Sequence, residues 1–247
     1  MYDRFTIVDT YYSHGFLVPF IAAFLIWRKK DRLEKIPIVY SWWGLVFILA
    51  ALLVHFLSTV LYVFFTSGFS ILILVFGISM FVFGRERTKE VLFPLSFLIF
   101  MIPLPSSLIN AVSLPLKMQV ASIGAGLVNF LGVPIFQTGF FIDTAKGTLL
   151  VDDPCSGIRS LISFMALGAL TGHIANAPAK SKVMIFASSI PIAMATNILR
   201  VSFLILATNY YGTNIVHPES WVHNGSGYLA FAIGGILLFQ VKGWLDG

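Results

Sequence analysis

Long apolar runs that end in small knots of basic residues constrain this chain more than any other feature. Runs near 13–27, 42–65, 68–84, 90–108, 157–176, 183–206 and 226–241 approach or exceed the ~20 residues an α-helix needs to cross a hydrocarbon core. Inside such a core every backbone N–H and C=O must be satisfied within the segment, which leaves the helix as the solution for single runs. Charge is correspondingly scarce: 11% of the 247 residues are charged, against about a quarter in a soluble domain. The fold class expected is an all-α polytopic membrane protein with about seven transmembrane helices. The N-terminus lacks the succession of basic region, short apolar core and small-residue cleavage site that marks a removed signal, so the first run reads as a retained span. With no internal repeat, low-complexity tract or long linker, residues 1–247 read as a single integral membrane domain.

Lysine and arginine orient the spans, because short cytoplasmic loops are enriched in them. Arg28, Lys29, Lys30, Arg32 and Lys35 follow the first run, and Arg85, Arg87 and Lys89 follow the third. Lys180 and Lys182 precede the run at 183–206, and Lys242 follows the last. If all four groups are cytoplasmic, the N-terminus is outside and parity forbids a crossing by the helical material at 109–131. That segment is therefore expected to be interfacial or re-entrant. Pro103, Pro105 and Pro115 interrupt its approach, and Lys117 is costly within a span. The next stretch alternates through Phe136, Thr138, Phe140 and Ile142, then turns at Thr144-Ala145-Lys146-Gly147 before Thr148-Leu149-Leu150-Val151. This predicts a small extracytoplasmic hairpin running into Asp152-Asp153-Pro154-Cys155.

The formal net charge of +5 does not point to nucleic acid, since the basic residues flank apolar runs and no basic patch with interleaved aromatics occurs. Cys155 is the sole cysteine. A lone cysteine in a membrane protein is commonly a buried apolar residue. Here it follows Pro154 at the start of a helix near Ser156, where the helix dipole favours thiolate. Asp152 and Asp153 oppose that ionisation if they are close, so activation requires a basic or cationic partner. Arg200 is one candidate: from Val183 a helix rises roughly 26 Å to reach it, near the outer edge of the hydrocarbon, where an arginine must face a polar cavity or a partner. His223, expected in a loop just before the last span, falls at the same face and can move protons. Thiol, guanidinium and imidazole together suit acyl transfer, with cysteine attacking a carbonyl and arginine stabilising the oxyanion or orienting the thiolate. Arg159 lies one turn after Cys155 and suits an aspartate or a substrate carboxylate. His14, His55, His173 and His217 are scattered, so no zinc or other metal site is expected and no cofactor is implied. Among these, His14 is notable for starting the first span on the outer side.

The motifs Tyr11-Tyr12-Ser13-His14-Gly15 with Pro19, Pro103-Leu104-Pro105, Pro115-Leu116-Lys117, Cys155-Ser156-Gly157-Ile158-Arg159-Ser160, Asn197-Ile198-Leu199-Arg200-Val201 and His223-Asn224-Gly225-Ser226-Gly227 occur in that order. Their order and spacing resemble the exosortase/archaeosortase family of membrane-embedded cysteine transpeptidases over most of the chain. The resemblance implies that Cys155 is the nucleophile, Arg200 the family's arginine and His223 the third member. Archaeal relatives resemble the pattern with arginine at that third place, so histidine suggests a bacterial exosortase of the inner membrane whose site faces the periplasm or exterior. Ser156, Asn197, Asn224, Arg159 and His14 are secondary candidates. The implied substrates are membrane-anchored proteins ending in a Pro-Glu-Pro motif, a transmembrane helix and a basic tail, cleaved near the motif and passed to a surface acceptor. No added C-terminal domain is visible, so any accessory factor is expected to be a separate chain.

Other readings divide on simple observations. Hydrolysis alone differs from transpeptidation only in whether water or an amine opens the thioester. A polytopic transporter or export scaffold predicts that Cys155→Ala retains function. A catalytically inert assembly partner predicts that Arg200 and His223 also tolerate replacement.

Overall fold

The computed structural model describes residues 13–151, 156–217 and 219–246. Asp152, Asp153 and Cys155, singled out in the sequence, therefore lie outside the described residues, as does the side chain of His14. The chain divides into two compact units, 1–105 and 106–247.

The first unit contains α1 (Leu17–Trp27), preceded by a 3-10 turn at Ser13–Phe16, the short α2 (Lys30–Glu34), α3 (Trp43–Val60), α4 (Phe64–Glu90) and α5 (Leu92–Phe97). Helices α3 and α4 form an antiparallel hairpin held at close range by Gly44, where a Cβ would lie 2.3 Å from the backbone nitrogen of Phe81. The basic loops after α1 and at the end of α4 come together: Arg32 pairs with Glu90 at 3.4 Å, and Arg87 donates through Nε to the Ile36 carbonyl at 2.8 Å. Two of the basic groups recognised in the sequence thus share one end of this unit. The run expected to span at 90–108 is instead broken into α5, a 3-10 turn at Leu98–Met101 and an extended link to Pro105. Its helical part is too short to cross.

The second unit starts with α6 (Ser106–Phe130), which covers the segment expected to be interfacial or re-entrant at 109–131 and is long and apolar enough to cross. It is one continuous helix of 25 residues that passes through Pro115. An interior proline removes one intrahelical hydrogen bond and costs about 3 kcal/mol. Packing of Val120, Ala121, Ala125 and Val128 on Val201, Leu204 and Ile205 supplies the compensating burial. Then come three short strands and the helices α7 (Ile158–Ile174), α8 (Ala179–Tyr211) and α9 (Trp221–Asp246). Among the described residues five helices, α3, α4, α6, α8 and α9, are long and apolar enough to cross a membrane.

The expected hairpin is a three-stranded antiparallel sheet of β1 (Phe136–Thr138), β2 (Phe141–Thr144) and β3 (Gly147–Leu150). What read as one alternating strand folds back at Gly139, whose φ of +65° opens a tight turn with Phe140. Ile142 and Leu149 face inward, into the cluster that α6 and α8 build. Asn129, near the end of α6, accepts from the Ile135 amide at 3.0 Å; Asn209, near the end of α8, accepts from Ala145 at 3.2 Å. Both helices therefore finish at the sheet and run in the same direction.

Helices α7, α8 and α9 pack as an antiparallel trio. Gly168 and Gly172 let α7 approach α8, because a Cβ on either would come within 3.0 Å of Ser189 or of the Lys182 backbone. At one end Ala175, Ile185 and Leu238 close the core near Lys180, Lys182 and Lys242. The opposite end carries the sheet, the start of α7 and the start of α9.

Candidate active site

The start of α7 is fixed by Gly157. It occupies the N-cap with φ +84° and ψ −9°, a left-handed conformation that favours glycine. The position also needs the missing side chain, since a Cβ would lie 2.7 Å from Asn197 Nδ2. Ser156 is fully buried, and its Oγ accepts from the Ile158 amide at 3.4 Å. Asn197, 3% exposed on α8, therefore sits directly against the turn that follows Cys155.

One turn further along α8, Arg200 reaches across to α9. Its Nε donates to Ser226 Oγ at 3.4 Å and its Nη2 to the His223 carbonyl at 3.4 Å. Ser226 Oγ in turn donates to the same carbonyl at 2.8 Å. Gly227 lies beside this arrangement, where a Cβ would stand 3.4 Å from the Arg200 Cζ, in ordinary contact with the guanidinium.

His223 departs from its expected loop. Helix α9 begins five residues before the expected start at 226, so the histidine lies in its first turn and is 7% exposed. Ser220 is the physical cause: its Oγ accepts from the His223 amide at 3.1 Å, the contact of an N-cap serine. The imidazole Nδ1 lies 3.3 Å from the Val216 carbonyl. If Nδ1 carries the proton it donates to that carbonyl, leaving Nε2 as the basic nitrogen. Arg200 and Arg159 both lie within electrostatic reach of the ring.

The structure thus gathers Ser156, Asn197, Arg200 and His223 in one region of the second unit, with Arg159 in the first turn of α7. The Arg159 Nε is buried and has no hydrogen-bond partner among the described residues. Asn224 is exposed, and His14 belongs to the first unit. Ser226, Ser220, Gly157 and the Val216 carbonyl were not assigned roles from sequence. Ser220 was legible as a capping residue three positions before His223, but the following Gly-Ser-Gly reads as loop. Among the described residues no three His, Cys, Asp or Glu side chains gather as a metal site.

Between α8 and α9 a furrow of about 420 Å³ opens beside this cluster, with Arg200 and Ser226 in its lining. A family model of the transmembrane exosortases matches residues 6–240. No curated protein and no solved structure matches the chain. The matched region spans both units and every motif named above, and the chain belongs to the transmembrane exosortase family.

Proposed function

We propose that this protein is a membrane-embedded cysteine protease and transpeptidase, acting at the outer face of a bacterial inner membrane on proteins with a C-terminal sorting signal. The observation that carries the reading is the joining of Arg200 to the His223 turn beside Asn197, which packs on the peptide two residues beyond Cys155. The family match across 6–240 supports treating 1–247 as one integral membrane domain.

Orientation follows from the basic residues. With Lys180 and Lys182 cytoplasmic, the rise along α8 from Lys182 to Arg200 is about 27 Å, close to the hydrocarbon thickness of about 30 Å. Arg200 then lies near the outer boundary, and the last turns of α8 carry the sheet beyond it. Because α6 runs in the same direction as α8, it crosses outward. All four basic groups stay inside if α1 and α7, of 11 and 17 residues, cross along with the five longer helices.

In this mechanism His223 takes the Cys155 thiol proton, and the thiolate sulfur bonds to the scissile carbonyl carbon near the Pro-Glu-Pro motif. Arg200 stabilises the oxyanion that forms. The C–N bond then breaks, His223 gives the proton to the leaving amine, and a thioester remains on Cys155. A nucleophile from a surface acceptor opens the thioester and regenerates the thiol; water in its place gives hydrolysis.

The test is co-expression with a tagged substrate ending in Pro-Glu-Pro, an apolar helix and a basic tail, with the substrate C-terminus read by mass spectrometry. Loss of the tail with wild type and not with Cys155→Ala is expected, with an added mass on the new terminus if an acceptor is used. Equal processing by Cys155→Ala refutes the thiol mechanism and favours a transporter or scaffold.

A further inference from the structure

The furrow between α8 and α9 has a composition that the chemistry above does not explain. Its walls include Leu199, Phe203, Leu229 and Ile233, and its floor is built from small residues at Thr196, Gly225 and Ala230. Leu199 and Leu229 are 59% and 62% exposed, so the furrow opens to the surroundings of the helix bundle. Gly225 is informative. Glycine within a helix costs about 1 kcal/mol relative to alanine, yet a Cβ at this position would meet nothing within 4 Å. Internal packing therefore does not require glycine at Gly225, and the open space there suits the close approach of a further helix.

We propose that this furrow seats the transmembrane helix of the substrate, with an acidic side chain at the outer end of that helix meeting Arg200. The proposal rests on the protease reading and deepens it. At hydrocarbon depth a peptide occupant must satisfy its own backbone, which makes it helical. From Trp221 to Ile233 the furrow follows α9 for about 18 Å, more than half the thickness of a hydrocarbon core. Among the described residues lining it Arg200 is the one that is charged, and the furrow leads through Arg200 and Ser226 to His223. Charge and continuity together select an apolar helix that ends in a carboxylate. In the substrate proposed above, that acid is the glutamate of the Pro-Glu-Pro motif. A guanidinium carries five N–H donors in a planar fork, so it can bind a carboxylate and its own framework together. The substrate helix then delivers the peptide just outside the membrane to the site.

The test uses the full chain in membranes with the tagged substrate. A photo-crosslinking amino acid replaces Leu229 in one protein and Tyr228 in another; Tyr228 is exposed at the same depth and does not line the furrow. The expected result is about tenfold more substrate adduct from position 229, and less of it when the motif glutamate is replaced by glutamine. In parallel, Ala230→Phe fills the floor. Cleavage of the helix-bearing substrate should fall about tenfold, while a water-soluble peptide carrying only the motif is cleaved at the wild-type rate. Equal adducts from the two positions, adducts with phospholipid alone, or unchanged cleavage of the anchored substrate by Ala230→Phe overturns the proposal. If wild type cleaves neither substrate, the protease reading falls, and crosslinking still decides who occupies the furrow.

Discussion

Replacing Gly157 with alanine loads the joint between α7 and α8 at a single atom. Two costs add. An L-residue in the left-handed region, where Gly157 has φ +84°, pays about 1–2 kcal/mol. The new methyl also lies 2.7 Å from Asn197 Nδ2 and 3.2 Å from its Cγ. Asn197 is 3% exposed, so its amide is confined and overpacking adds about 1–3 kcal/mol. The sum is about 2–5 kcal/mol of destabilisation, measurable by reversible unfolding of the purified protein in mixed micelles. A double-mutant cycle separates the two costs. Asn197→Ala in the Gly157→Ala background removes the amide and relieves the steric share, while the backbone share stays. The double variant should therefore be more stable than the sum of the singles predicts, by about 1–3 kcal/mol. Additivity within about 0.5 kcal/mol, or a neutral Gly157→Ala, refutes the reasoning.

Arg200→Lys keeps the charge but loses the planar fork that spans Ser226 and the His223 carbonyl. Substrate processing should fall about 10²-fold or more with unchanged accumulation in the membrane, and a wild-type rate refutes the role. His223→Asn keeps an amide N–H near the Nδ1 position for the Val216 carbonyl but cannot carry a proton, so processing followed by mass spectrometry should drop about 10²- to 10⁴-fold. Gly234→Val drives a Cβ to 2.3 Å from the buried Phe164 ring. A loss of about 1–3 kcal/mol is expected in the same unfolding assay, part of it recovered by Phe164→Ala. Because Cys155 is the sole cysteine, a membrane-impermeant maleimide reports its side directly. Labelling of intact spheroplasts is expected, and labelling only after lysis reverses the orientation.

The apolar runs and the clustered lysines and arginines were enough to read a polytopic helical protein, because hydrocarbon leaves so few options for a backbone. The candidate chemistry was legible for a similar reason: one cysteine, one arginine late in an apolar run and a histidine before another are each costly or rare in that setting. Packing decided the rest. Pro115 and Lys117 argue locally against a long helix, yet α6 runs through both because its small residues bury against α8. Residues 221–225 read as loop before the last span, and they are helical because Ser220 caps the helix ahead of them. Local pattern records which residues avoid water. Which helices come close enough for Asn197 to meet Gly157, or Arg200 to meet His223, depends on a few missing side chains whose neighbours are distant in sequence, and only the folded chain reveals them.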